Sequence, residues 1–309
     1  MTKTVTPYDY LNRHLYTTEK VIEDVEHIDE TCSFVRNPPV FLLPSEVTKG
    51  LFITKWKFTN EIFEQPHTVV FARMKQVETP VDTGRVSIID GRSPCGVTFY
   101  HFMTETLPSV LFINNPNLPI LCKPTPGIIP YLRWFGVHNQ IIFEPCPIKN
   151  VIYQKYIDGG WTSPHQLQVL REIVEKKVLF KPSIGILIRR SGGVRQTVNH
   201  NDVLDMLKCK YADIDWHVFD MQGVDDAVDL FSQARIVVAG HGAGLTNTIF
   251  SPKGTHILEF VHEDDPNPCF WNQSEVLGHK HYLVPTRVNT EFNFIVDTNA
   301  LFPVLPSIL

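Results

Sequence analysis

Apolar and polar positions alternate along the chain in short blocks. In the first third, apolar runs from Val40 to Leu43, Leu51 to Phe58, Thr68 to Ala72 and Val86 to Ile89 are bounded by Pro, Gly and Asp, and they read as strands. From about Val97 to Asn114 the pattern predicts a helix. A short strand at Pro119 to Cys122, a helix near Ile128 to Phe135 and a strand at Gln140 to Phe143 follow. Ser163 reads as a helix N-cap with Pro164 at the first helical position; that helix extends to about Val178, and Pro182 lies just beyond it.

The second half repeats the alternation more clearly. Ile184 to Ile188 is a continuous apolar run, hence a buried strand. Asn201-Asp202 caps a helix to about Cys209. Asp215 to Phe219 is a strand, Asp225 to Gln233 a helix, and Arg235 to Ala239 a buried strand ending in Gly240. Leu245 to Phe250 begins a helix, and His256 to Val261 is another buried strand. This β-α-β-α-β-α-β order predicts an α/β fold with a parallel, doubly wound sheet. Such sheets bind ligands beyond the carboxyl ends of their strands. A subdomain boundary is expected near residues 160 to 183.

Composition narrows the function. The chain has 309 residues, 43% hydrophobic and 20% charged, which supports a buried core. The formal charge of −5 and the lack of any basic run argue against a nucleic-acid partner. Met1 to Asp9 is polar and contains no apolar stretch, so no membrane span is expected. A cytoplasmic location is the expectation, or else a secretory-pathway protein that has lost its anchor. Six scattered cysteines form no CxxC pair, which removes a zinc-ribbon or thioredoxin-like reading; reduced, mostly buried thiols are expected.

The chemistry concentrates at Gly240-His241-Gly242-Ala243-Gly244-Leu245. Three glycines in five residues, between a strand and a helix, let backbone approach a ligand closely. Free amides and the positive helix end there suit a phosphate. A purely structural turn would look the same without His241 at its rim. Arg189 and Arg190 close the preceding strand at the same sheet edge, and Arg195 follows Gly192-Gly193. Guanidinium groups bind phosphate bidentately. Glu259, near the end of the next buried strand, is placed to accept hydrogen bonds from ribose hydroxyls. Thr246 and Asn247, in the first turn after the glycines, bond either a phosphate or the helix terminus. Trp161 and Trp271 are read as packing rather than stacking residues.

These strings, Arg189-Arg190 with Arg195, Leu230 to Ala234, Gly240 to Phe250 and Leu258-Glu259, resemble the C-terminal region of glycosyltransferase family 61. That family includes plant xylosyltransferases and O-GlcNAc transferases of the secretory pathway. Tyr100-His101-Phe102-Met103-Thr104-Glu105 with Leu107-Pro108 resembles its N-terminal His motif, and Gly136-Val137 a smaller element between. The resemblance spans roughly residues 95 to 285. It implies two facing Rossmann-like domains (the GT-B arrangement), inversion at the anomeric carbon, no cofactor and no essential metal. The domains would be 1–160 on the acceptor side and 161–290 for the nucleotide sugar. Residues 291–309 would form a tail packing back on the first domain. Eukaryotic members usually have an anchor, and none is expected here.

An inverting transfer needs a base for the acceptor hydroxyl. His101 and Glu105 share a helix face at a spacing of four. Either Glu105 is the base, or His101 is and Glu105 orients it; Asp90, at a strand end, is a third candidate. The expected function is transfer of xylose or N-acetylglucosamine from a UDP-sugar to a glycan or glycoprotein hydroxyl. The alternative is a non-catalytic glycan- or nucleotide-binding protein with a degenerate transferase fold. Asp213-Ile214-Asp215 spells DxD but precedes a strand, the wrong edge for a metal site. No G-x-S-x-G follows His241, which argues against an α/β-hydrolase.

Overall fold

The computed structural model describes residues 98–122, 127–142, 164–220, 223–263 and 269–307. It also describes, as backbone, the strands at 15–17, 30–33, 40–41, 55–58, 62–66, 69–71, 88–90 and 150–154. The chain forms two compact units: Met1–Phe34 with Lys55–Val169, and Val35–Thr54 with Leu170–Leu309.

The first unit contains a five-stranded sheet. Its strands are β1 (Ile62–Pro66), β2 (Ile88–Asp90), β3 (Ile120–Leu121), β4 (Ile141–Ile142) and β5 (Asn150–Gln154). The order is β1-β5-β2-β3-β4, with β1 antiparallel and the other four parallel. Between β2 and β3 lies a helix wound in three parts, Phe99–His101, a π-helical turn Phe102–Thr106, and Leu107–Ile113, together α1. Phe99, Met103, Leu107 and Val110 recur at helical spacing and are all buried. Helix α2 (Ile128–Trp134) separates β3 from β4. It stops at Gly136, whose φ of 87° is left-handed. The Gly136 N–H bonds Arg133 O and the Val137 N–H bonds Leu132 O, the paired bonds of a Schellman end, with Val137 buried behind them. The Gly136-Val137 pair therefore has a local reason: it terminates a helix.

Helix α3 (Pro164–Lys177) contains the boundary between the units. The second unit then runs β6 (Ile184–Ile188), α4 (His200–Lys210), β7 (Asp215–Phe219), α5 (Val224–Phe231), β8 (Ala234–Gly240), a 3-10 helix (Ala243–Phe250), β9 (His256–His262), α6 (Cys269–Leu277), β10 (Lys280–Val288), β11 (Phe294–Ile295) and α7 (Thr298–Leu301). Strands β7-β6-β8-β9-β10 are parallel in that order. The order reverses between β6 and β8, which makes the crevice at their carboxyl ends the topological switch point. Val40–Phe41 adds a parallel strand beside Tyr282–Leu283, and β11 pairs antiparallel with Arg287–Val288. Pro285 lies between those two partners, where its missing N–H costs no ladder bond on that side.

The core on one face of this sheet gathers Leu187, Val203, Leu207, Ile236, Val238, Leu258, Phe260 and Val284. Residues of the expected tail enter the same core: Phe294, Val296, Leu301 and Leu305. Asn199 fixes them, its Nδ2 donating to Val296 O and its Oδ1 accepting from the Val296 N–H. The Tyr211 hydroxyl donates to Pro306 O. Among the described residues no helix is long and apolar enough to cross a membrane. Cys122 and Cys269 are buried and Cys209 is exposed.

Candidate active site

The glycine turn sits where the topology predicts a ligand. A cavity of about 270 Å³ opens at the switch point, lined by Ile188 to Gly192, Arg195 and Thr197 from the β6 side and by Gly240 and Gly242 to Gly244 from the β8 side. The turn winds into a 3-10 helix rather than the expected α-helix. Its first internal bond is Leu245 N–H to Gly242 O, so the amides of Ala243 and Gly244 precede it. The Gln273 side chain from α6 donates to Leu245 O and Thr246 O, carbonyls an α-helix would offer to residues 249 and 250.

The glycines serve close approach. A Cβ on Gly240 would lie 2.8 Å from the Phe294 ring, and one on Gly242 would lie 2.7 Å from Arg190 Nη1. Gly242 itself is extended, with φ 171°, so clearance over Arg190 is what that position demands. Arg190 and Arg195 have no acidic partner among the described residues. Burial, and then the neighbouring Arg195 charge, lower the Arg190 pKa. Two guanidinium groups without an acidic partner among the described residues, beside the amides of Ala243 and Gly244, are the kind of groups from which anion sites are built. Arg189 differs: it makes a two-pronged contact with Asp220 Oδ2 at 3.2 and 2.8 Å, and Ser191 Oγ donates to Asp220 Oδ1. Hydrogen bonds from Arg189 and Ser191 hold the Asp220 carboxyl below its usual range. Arg195 adopts a left-handed φ of 66°, held by its N–H bond to Phe292 O.

Glu259 does not meet the ribose role expected of it. Its side chain is fully buried, and both oxygens are occupied: Oε1 by His241 Nδ1 at 2.6 Å, Oε2 by His281 Nε2 at 2.9 Å. Burial alone would raise this carboxyl, but the two imidazole hydrogen bonds outweigh it and hold it below the usual range. His241, 13% exposed, also lies against the Phe270 ring. Leu245, Thr246 and Asn247 are buried, and Asn247 Nδ2 donates to Gly244 O within the turn. Trp271 is core; Trp161 lies outside the described residues. Asp213 and Asp215 sit at the amino edge of β7, with Asp213 3.5 Å from Arg235 and Asp215 3.1 Å from His217. Asp220, Ser191, His281 and Ser274 were not singled out from the sequence; only their places at strand ends or inside later elements could have marked them.

In the first unit, His101 Nδ1 and Glu105 Oε1 are 2.7 Å apart across the π-helical turn. Glu105 is buried, whereas the His101 side chain keeps 18% exposure. Asp90 ends β2 at the carboxyl edge of the parallel strands; its side chain lies outside the described residues.

Residues 99–258, more than half of the chain, match the family model described as Glycosyltransferase 61. The chain belongs to glycosyltransferase family 61. The matched stretch begins just before His101 and runs through the whole glycine turn, so the His101–Glu105 pair and the glycine turn of this glycosyltransferase lie within it, while Asp90 and Glu259 fall just outside. A search of curated proteins finds no match to the chain.

Proposed function

We propose that this glycosyltransferase is an inverting, metal-independent enzyme of GT-B type. It moves a sugar, xylose or N-acetylglucosamine, from a UDP-sugar to a hydroxyl of a glycan or glycoprotein. The observation that supports this reading best is the Arg190–Arg195 pair, without an acidic partner among the described residues, in the lining of the glycine-turn cavity. A nucleoside diphosphate supplies the negative charge that pair lacks. As the donor bond breaks, the amides of Ala243 and Gly244 and the two guanidinium groups stabilise the charge that grows on the leaving diphosphate. That fixed positive charge does the work a metal does in other transferases.

His101 is the proposed base. Its Nδ1 is engaged by Glu105, and Glu105 is too buried to meet an acceptor itself, so Glu105 orients the ring and Nε2 takes the acceptor proton. Glu105 thus supports catalysis through His101.

The test is a panel of UDP, GDP, CMP and their common sugars, followed by thermal stabilisation with and without EDTA. A ligand bound only by the native state raises stability by mass action. Selective stabilisation by one UDP-sugar, indifferent to EDTA, is expected and names the donor. Stabilisation that EDTA abolishes would overturn metal independence, and none from any nucleotide would overturn the donor site.

A further inference from the structure

Strand register sets two opposite charges side by side at the edge of the cavity. Ile188 and Phe219 are the last register partners of β6 and β7. The next residue on each strand is Arg189, whose N–H donates to Phe219 O at 2.8 Å, and Asp220. Successive residues of a strand point to opposite sides. Arg190 turns toward Gly242, and Arg189 turns toward β7, where its Nε and Nη2 both donate to Asp220 Oδ2. Ser191 Oγ donates to Asp220 Oδ1 at 2.9 Å, so the segment leaving β6 holds both carboxylate oxygens. The Arg189 side chain is 54% exposed, so this carboxylate rather than packing fixes where its guanidinium lies.

The consequence is a count of charge. Arg189, Arg190 and Arg195 all line the cavity, and Asp220 cancels the charge of the first. Hydrogen bonds from Arg189 and Ser191 hold the Asp220 carboxyl below its usual range, so it is ionised at neutral pH. His200 is near the same pair. Burial, then the Arg189 charge, hold it below the usual imidazole range against the opposing pull of Asp220, so it adds no charge in mild alkali. The cavity is left with the guanidinium charges of Arg190 and Arg195.

A nucleotide-sugar donor matches that count, because each phosphorus of its diphosphate carries one negative charge. In the transfer the C1–O bond to the diphosphate breaks and its electron pair stays on the β-phosphate oxygen. The acceptor oxygen forms the new bond to C1 and its proton goes to the base. The diphosphate thereby gains one negative charge, and with a second phosphate ionisation near about 6 the product keeps that charge above neutral pH.

We propose that Asp220 is a specificity-determining residue: by neutralising Arg189 it fits the cavity to the two charges of the sugar donor and keeps it from favouring the three charges of the nucleoside diphosphate product. The proposal rests on the donor-site reading above. Attraction grows with charge, so a third free guanidinium would hold product more firmly than donor and slow its release.

The experiment titrates UDP and its β-phosphate methyl ester into the unsubstituted full chain and into Asp220→Asn, by calorimetry at about pH 8. The probes differ by one negative charge on the oxygen from which the sugar departs. In Asp220→Asn the UDP affinity is expected to rise about tenfold and the methyl ester affinity about threefold at most, the scale of one added charge-assisted hydrogen bond. A purely structural role for Asp220 would move both affinities together, so the ratio of the two decides. A ratio that is unchanged, or shifted toward the methyl ester, overturns the proposal. Adding Arg189→Gln to Asp220→Asn is expected to return the ratio to its starting value. A ratio that stays shifted means that Asp220 does not act through Arg189, which also overturns it. Should Asp220→Asn not fold, Asp220→Ser is read by the same ratio. Failure of the unsubstituted protein to bind either probe overturns the donor site itself, a separate result.

Discussion

Arg190 shows how much one atom of clearance can decide. Its Nη1 occupies the space that any side chain at position 242 would need. A guanidinium is the far end of a flexible chain, so Gly242→Ala is accommodated by moving Arg190 rather than by straining the backbone. The expected result is a melting temperature within about 3 °C of the parent, since surface adjustments stay within about 0.5 kcal/mol. UDP affinity should fall about tenfold, the scale of one charge-assisted hydrogen bond. Calorimetric titration beside a thermal melt checks both. At this scale the sequence is partly legible. The glycines at 240 and 242 announce close backbone approach, but what approaches them, Phe294 and Arg190, comes from distant or flexible chain. Glu259 is the opposite case. A carboxylate at a strand end looks like a ribose ligand until two histidines, 18 residues before it and 22 residues after it, are seen to hold it.

At the level of elements, the π-helical turn in α1 is the unusual feature. Such turns are rare and often mark functional sites. Here one spans the backbone between His101 and Glu105. His101→Ala is expected to lower kcat at least about 100-fold, the usual contribution of a general base. Glu105→Gln should lower kcat less, by about tenfold, and move the acid limb of the pH–rate profile. Neither change should alter UDP affinity, and steady-state kinetics with product inhibition would show the split. The helical stripe of α1 and the buried runs β6, β8 and β9 were legible because strong periodicity and long apolar runs leave few alternatives. Strand β10 was not: Pro285 interrupts Lys280–Val288, and a proline normally argues against a central strand. Helix α6 was not either, because Asn272, Gln273 and Ser274 are polar yet buried, which blurs the helical stripe. His281 and Ser274 sit on these two elements, so the contacts that hold Glu259 from behind were hidden with them.

For the whole molecule, burial of histidines sets the response to acid. Burial, with Lys280 and Arg235 nearby, pushes His256 down to about 4, and His279 is lower still at about 3. A depressed histidine means that the unfolded chain binds more protons than the folded one below about pH 6.5. Stability is therefore full above that value and is lost as pH falls toward 4, by up to about 1.4 kcal/mol per pH unit for each group. Thermal melts at pH 7.5 and pH 4.5 are expected to show the loss, and His279→Leu should shrink it. Molecular architecture adds a constraint of another kind. Val40–Phe41 forms a strand beside Tyr282–Leu283, and Val35–Thr54 belongs to the second unit although the chain on either side belongs to the first. A ribosome delivers Val40 about 240 residues before its partner, a wait of roughly 12–50 s at ~5–20 residues per second. Until then that strand has no sheet to join. Expressed alone, residues 170–309 would present β10 with an open edge, a template for pairing with other chains. That fragment is expected to aggregate unless a peptide covering residues 35–54 is supplied, which light scattering during refolding would register. A strand whose sheet partner comes only near the end of the chain is thus among the first to be synthesised, and the fold waits on that partner.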